Sequence, residues 1–226
     1  MKICGLQKVS FVDYPEHICA TLFTSGCNFA CPFCHNAGLV NNTETAIPEN
    51  EIFDYLESRK HLLNSVCISG GEPTLQPDLP EFIKKIKDMG FLVKLDTNGS
   101  NINMLRRLVE HKLIDYIAMD VKNSLNKYNF TIGKPAEFKV REVVDYIMNC
   151  GVSYEFRTTL VNGFHSEQDI IAISEMLKGA NNYYLQKFVD SGNCIQNGLT
   201  HIEKSIAENF QALAQKNIPN THLRGY

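Results

Sequence analysis

Residues 114–122 read Ile114-Asp115-Tyr116-Ile117-Ala118-Met119-Asp120-Val121-Lys122. Side chains alternate faces along a strand. Ile117, Met119 and Val121 therefore share one face, and Ala118, Asp120 and Lys122 the other. Two other β-rich stretches carry the same parity. In 91–96, Phe91, Val93 and Leu95 oppose Lys94 and Asp96; in 154–160, Phe156, Thr158 and Leu160 oppose Glu155, Arg157 and Thr159. The apolar faces suit packing on helices, so the charged faces must point inward. A closed barrel fills its interior with branched apolar residues, and buried unpaired charges are too costly. The parity predicts a wet, open lumen built for a polar, zwitterionic ligand. The alternative is a doubly wound sheet whose charges sit at exposed strand ends.

The wider pattern fits such a sheet. β-rich runs fall near 18–25, 65–70, 91–96, 114–121, 153–161 and 182–189, with helical patterns near 49–62, 78–89, 101–111, 136–149 and 167–178. This alternation implies parallel strands joined by crossover helices. About six βα units fit, and a complete eight-unit barrel needs ~250 residues. The expected fold is α/β, a partial, open (β/α)6 TIM-like barrel. Residues 2–14 are expected to add an antiparallel lead-in, and a helix near 202–216 and a short strand at His222-Leu223-Arg224 to close the chain. One domain over 1–226 is expected, with a lead-in of about 1–17 and a helix/strand extension of about 200–226.

The chain has 226 residues, 44% of them hydrophobic, with 22 Lys+Arg against 25 Asp+Glu and a net charge of −3. That apolar share excludes disordered and fibrous classes. The acidic balance argues against a protein that coats phosphate backbones, so no nucleic-acid partner is expected. No run is apolar enough to span a bilayer, and Met1-Lys2-Ile3-Cys4-Gly5-Leu6-Gln7-Lys8 contains no signal-peptide core. The expectation is a cytoplasmic protein with no membrane partner. Eight cysteines in that compartment point to metal or redox chemistry rather than disulfides. Cys4, Cys19, Cys67, Cys150 and Cys194 are scattered and read as small buried hydrophobes.

The other three lie together in Cys27-Asn28-Phe29-Ala30-Cys31-Pro32-Phe33-Cys34-His35-Asn36, a C-x3-C-x2-C loop after the first parallel strand. Four readings compete. A structural zinc needs a fourth ligand, and His35 is the only nearby candidate. Cys31-Pro32-Phe33-Cys34-His35 matches the haem-attachment pattern, which goes with export. A thiol–disulfide site leaves Cys27 unexplained. A 4Fe–4S cluster usually takes four thiolates; three leave one iron open, and an open position marks a catalytic metal.

With the aromatic Phe33 before its last cysteine, this loop resembles that of the radical S-adenosylmethionine (SAM) superfamily. Gly70-Gly71-Glu72-Pro73, after the second parallel strand, resembles that superfamily's GGE-type motif. Cys34-His35-Asn36, Asp96-Thr97-Asn98-Gly99, Asp120-Val121-Lys122 and Arg157 resemble the corresponding segments of glycyl-radical enzyme activating enzymes. Gly5-Leu6-Gln7-Lys8 with Asp13-Tyr14-Pro15 is similar to the subgroup that activates anaerobic ribonucleoside-triphosphate reductase, although Glu16 stands where that subgroup carries glycine.

The resemblance covers nearly the whole chain and implies a radical SAM barrel. It implies that Cys27, Cys31 and Cys34 ligate a 4Fe–4S cluster and that SAM binds the open iron. SAM would be cleaved reductively to methionine and a 5′-deoxyadenosyl radical, which takes a glycine Cα hydrogen from a partner enzyme. The implied SAM contacts are Phe33, Gly70, Gly71, Glu72, Asp96, Asn98, Asp120, Lys122 and Arg157, with a monovalent cation near Asp96 and Asp120. The alternative for Phe33 is loop packing; for Lys122 and Arg157 it is an inward salt bridge with Asp96, Asp120 or Glu155. Gln186, with Tyr184 and Phe188 on the sixth parallel strand, is a further inward candidate. The implied partners are a glycyl-radical enzyme, in first place anaerobic ribonucleotide reductase, and flavodoxin or ferredoxin as electron donor. Radical chemistry on a small molecule or peptide, and a non-catalytic metal-binding module, are the competing functions.

Overall fold

The computed structural model describes residues 1–190 and 192–226. Its elements run β1 (Ile3–Ser10), β2 (Cys19–Thr24), α1 (Ala37–Val40), α2 (Glu49–Arg59), β3 (Ser65–Gly70), α3 (Leu79–Asp88), β4 (Leu92–Thr97), α4 (Ile102–Glu110) and β5 (Tyr116–Asp120). The second half continues with α5 (Tyr128–Ile132), α6 (Val140–Asn149), β6 (Ser153–Leu160), α7 (Glu167–Met176), β7 (Tyr183–Lys187), α8 (Lys204–Gln215) and β8 (Thr221–Arg224). Strand order follows chain order, with β1 and β8 as edges, so the sheet is open.

The chain divides into two compact units. The first comprises Met1–Asn28, Gly38–Thr97 and Asn101–Ala118. In it β1 pairs antiparallel with β2, as the lead-in predicted, and β2, β3 and β4 pair in parallel. The apolar stripes of α2 (Ile52, Leu56), α3 (Phe82, Ile83, Ile86) and α4 (Leu105, Leu108) are buried, as are Val66, Ile68, Val93 and Leu95 of the strands. Each of these side chains contributes roughly 1.5–3 kcal/mol on leaving water. Asn101 caps α4 by accepting from the Met104 N–H (3.1 Å), and its amide donates to the Thr74 carbonyl (2.8 Å).

The second unit comprises Phe29–Ala37, Asn98–Ser100 and Met119–Tyr226. Here β6, β7 and β8 are parallel, so the terminal strand is real and joins β7. The helix expected from 136 starts only at Val140, because 133–139 fold back on α5: the Ala136 N–H donates to Asn129 Oδ1 at 2.8 Å. Helices α1 and α5, four and five residues long, are too short to leave a periodic signal in the sequence.

α7 opens with a capping box, Ser166 and Asp169 each bonding the other's backbone N–H. The Asp169 carboxylate also accepts from Ser124 Oγ (2.8 Å) and Lys127 Nζ (2.6 Å). Burial alone would raise its pKa; Lys127, Ser166 and Ser124 outweigh that and bring it down to about 2. A carboxylate lowered on folding stabilises the protein above its unfolded pKa. That contribution, about 1–2 kcal/mol allowing for the half-exposed lysine, is lost as pH falls from about 4 to about 2. Urea midpoints measured across that range should therefore fall less steeply in Asp169→Asn than in the parent.

The inward charges depart from the expected wet lumen. Lys94 is 1% exposed and paired with Asp96; Glu155, also 1% exposed, takes the Arg224 guanidinium on both oxygens (3.1 and 3.2 Å). Pairing, rather than hydration, offsets the burial cost.

Candidate active site

In the first unit, β3 ends at Gly70 and Gly71 follows it, and both are fixed by the chain's own backbone. Gly70 has φ +114°, and a Cβ there would lie 2.3 Å from the Thr24 N; one on Gly71 would lie 2.1 Å from the Gly26 O. The Gly71 and Glu72 N–H groups donate to the carbonyls of Thr24 and Gly26, each at 2.9 Å. The two glycines thus hold the residue immediately before Cys27. Gly71→Ala sets a methyl against a backbone oxygen, an overpacking cost of about 1–3 kcal/mol. Thermal unfolding of the metal-free protein should register this as a drop of several degrees.

Glu72 is fully buried. Its carboxylate accepts from the Thr74 N–H (3.1 Å), the Thr74 hydroxyl and the Thr97 hydroxyl (2.7 Å). It caps the short 3-10 turn Pro73–Leu75 and ties the end of β3 to the end of β4. One residue before Thr97, Asp96 accepts from Ser69 Oγ (3.1 Å) and from the Lys94 ammonium.

In the second unit, Asp120 at the end of β5 receives two cations. Lys122 Nζ donates to Oδ2 at 2.9 Å and Arg157 Nε to Oδ1 at 2.8 Å. The inward salt bridge weighed for Lys122 and Arg157 is therefore formed, with Asp120 as its acid. Burial pushes the Asp120 pKa up, but Arg157 and Lys122 outweigh it and hold the carboxyl well below the usual range. Burial works against the Lys122 ammonium; Asp120 and the Cys31 and Cys34 sulfurs overcome it, so Lys122 stays charged well above neutral pH.

Cys31, Cys34 and Phe33 belong to this unit, and Cys27 to the first. None of the three cysteines is in a disulfide. Phe33 is buried edge-on against Phe164 at 5.5 Å, so the loop-packing role is realised. Segment 194–196 runs along the loop, with the Ile195 and Gln196 N–H groups donating to the Cys34 (3.2 Å) and Pro32 (2.8 Å) carbonyls. Cys194 Sγ lies 4.0 Å from the Phe33 O. Among the described residues no three His, Cys, Asp or Glu side chains are gathered around one metal ion. Asn98 Oδ1 accepts from the Ser100 N–H (2.9 Å) and shapes the turn after β4.

Sequence reasoning missed His165 and Asn123. His165 Nδ1 accepts from the Val161 N–H (3.2 Å), which leaves Nε2 to donate to the Lys122 carbonyl (2.9 Å); burial lowers its pKa and keeps it neutral. Asn123 donates to Thr131 Oγ1 (2.9 Å) and to the Phe164 carbonyl (3.0 Å). Both fix the strand end that carries Asp120 and Lys122, and neither sits in a local motif that would mark it. On β7, Tyr184 stacks under Arg224 (3.8 Å), Phe188 is buried, and Gln186 is half-buried in register with Arg224.

The donor set fits an iron–sulfur group. It supplies three cysteine sulfurs, none of them in a disulfide, and cysteine sulfur is the usual protein ligand of iron–sulfur clusters.

Comparison with known proteins agrees. The radical SAM superfamily model matches residues 21–177. A Methanocaldococcus jannaschii protein named "Putative glycyl-radical enzyme activating enzyme" is 35% identical over 192 residues, 82% of this chain and 79% of that one. The pyruvate formate-lyase-activating enzyme of Staphylococcus epidermidis is 29% identical over 198 residues, 81% of this chain and 77% of that one. Among solved structures, Streptococcus suis SuiB bound to its precursor peptide SuiA superposes with a TM-score of 0.71 at 18% identity. That match covers 91% of this chain, which spans about half of SuiB's length (48%), and it concerns the fold alone. The open parallel sheet, the C-x3-C-x2-C loop and these matches make the chain a member of the radical SAM superfamily, in its glycyl-radical enzyme activating family, whose chemistry runs on a 4Fe–4S cluster and SAM.

Proposed function

We propose that the protein activates a glycyl-radical enzyme. The observation that carries this reading is the C-x3-C-x2-C loop, whose three cysteines stand outside any disulfide, together with the paired charges of Asp120, Lys122 and Arg157 at the end of β5. Cys27, Cys31 and Cys34 would hold a 4Fe–4S cluster, which supplies the electron for reductive cleavage of SAM to methionine and a 5′-deoxyadenosyl radical. The radical takes a Cα hydrogen from a glycine that must come within about 3–3.5 Å. Gly70, Gly71 and Glu72 set the start of the cysteine loop and offer backbone to the amino acid end of SAM. Asp96, Asn98, Asp120, Lys122 and Arg157 are the polar contacts, and Phe33 supports the loop from beneath. Lys94 on Asp96, and Lys122 with Arg157 on Asp120, already supply much of the positive charge expected of a monovalent cation. Such an ion would act beside them.

The partner we favour is anaerobic ribonucleotide reductase, on the strength of Gly5-Leu6-Gln7-Lys8 and Asp13-Tyr14-Pro15. The electron donor is flavodoxin or ferredoxin. Residues 1–226 act as one domain, because the chain passes repeatedly between its two compact units. The setting is the cytoplasm, with no nucleic acid or membrane involved; among the described residues no helix is long and apolar enough to cross a membrane. The test is anaerobic reconstitution with iron and sulfide, then incubation with SAM, reductant and the reductase. A glycyl-radical EPR doublet on the reductase is the expected result. SAM cleavage without that doublet would favour a small-molecule or peptide substrate, and a colourless protein that binds zinc would end the radical reading.

A further inference from the structure

One aromatic side chain of the second unit is left in water for no packing reason. Phe130, on α5, is 63% exposed, and Leu125, just before the helix, is 49% exposed. Phe130 is nevertheless ordered on one face: its ring stacks on Phe164 at 5.2 Å and 26°. Phe164 in turn meets Phe33 edge-on at 5.5 Å. Phe33 lies between Cys31 and Cys34, so three rings in contact lead from solvent to the cysteine loop. The helix is anchored there as well, since the Ala30 N–H donates to the Ile132 carbonyl at 2.9 Å.

The segment that carries Phe130 is basic in sequence. Residues 125–139 carry Lys127, Lys134 and Lys139 against a single acid, Glu137, a net +2 on a chain of net −3. Lys127 is tied to Asp169 at 2.6 Å, while Lys134 and Lys139 are exposed. An exposed apolar anchor on a segment that carries two exposed lysines, in a chain of net negative charge, suits a partner with an acidic rim and an apolar centre.

We infer that the Phe130 face is the docking site of a small acidic one-electron redox protein, and that Phe130, Phe164 and Phe33 form the path along which its electron reaches the cysteine loop. This rests on the proposed function and names where its electron enters. Tunnelling falls steeply with the gap between donor and acceptor, and rings in van der Waals contact leave no wide gap along this route. The step moves one electron. The reduced donor is oxidised by one, the group held by the cysteines is reduced by one, and no bond or proton changes hands.

The test uses the full-length reconstituted protein and a bacterial flavodoxin as probe. Binding is measured with both proteins oxidised, at low and high salt. Phe130→Ala is expected to weaken binding about tenfold. The Lys134→Glu/Lys139→Glu variant, whose substitutions lie in exposed positions, is expected to weaken it by a similar factor at low salt and much less at high salt. Reduction by flavodoxin hydroquinone should slow in parallel, while reduction by dithionite, which needs no docking, stays at the parent rate. Unchanged flavodoxin affinity in both variants overturns the proposal. So does concentration-dependent dimerisation that Phe130→Ala abolishes, since the face would then join two copies of this chain. If the parent reduced by dithionite fails to cleave SAM, the functional reading fails instead, and the binding arm still decides the docking face.

Discussion

Replacing Cys27, Cys31 or Cys34 with Ala, one at a time, is expected to remove the iron–sulfur chromophore and bring SAM cleavage to background in each case. A 4Fe–4S cube normally takes four thiolates, and a site that starts with three has none to spare. The expectation is the same for each of the three although their settings differ. Cys31 is buried, while Cys27 and Cys34 are partly exposed. Cys194→Ala is the decisive control, because that thiol stands against the loop, 4.0 Å from the Phe33 O. Cys194→Ala should keep its iron and its SAM cleavage. Loss of iron in that variant would mean a cube closed by a fourth protein sulfur, with no iron left for SAM. Circular dichroism on the metal-free variants separates loss of the cluster from loss of the fold.

Much of this molecule could be read from short-range pattern. Alternation along 91–96 and 154–160 located β4 and β6 to within a residue or so of their ends, because period two is a property of the strand itself. The cysteine spacing identified the loop, and Asp120 with Lys122 appeared correctly on one face. What the pattern left open was what each polar group faces. Gly70 and Gly71 were expected to let a ligand approach; that they also pack against the backbone of Thr24 and Gly26, some 45 residues earlier, is something no local pattern reveals. Glu72 was read as part of a ligand motif, and its carboxylate serves Thr74 and Thr97. Phe130 passed unnoticed because a five-residue helix has no periodicity, and its significance depends on Phe164, far along the chain. Local periodicity reports which way a side chain points; partners brought by tertiary pairing decide what it meets.

The buried pair of Lys94 and Asp96 is where that difference has its largest energetic consequence. Lys94 stands beside Cys67 in the parallel register of β3 and β4, with Nζ 3.7 Å from Sγ. That thiol cannot serve as counter-ion: burial pushes the Cys67 pKa well up and keeps it protonated at neutral pH. The Asp96 carboxylate does face Lys94 as a negative charge, and it is 15% exposed where Lys94 is 1% exposed. Removing either charge takes a close partner from the other, and the two losses are unequal. Asp96→Asn takes a carboxylate from an ammonium that is 1% exposed, at a cost of about 3–5 kcal/mol. Lys94→Met leaves a carboxylate that can still reach solvent, so about 2–3 kcal/mol is expected, at the low end of the same range. Lys94→Met/Asp96→Asn removes both charges and should recover most of the loss, giving a coupling of about 2–3 kcal/mol in urea unfolding. Additive single losses would mean the two charges are stabilised separately, and the pair would cease to explain how this open sheet tolerates a lysine at its centre. Under the proposed function the same cycle should appear in SAM affinity, because Lys94 fixes the orientation in which Asp96 is presented.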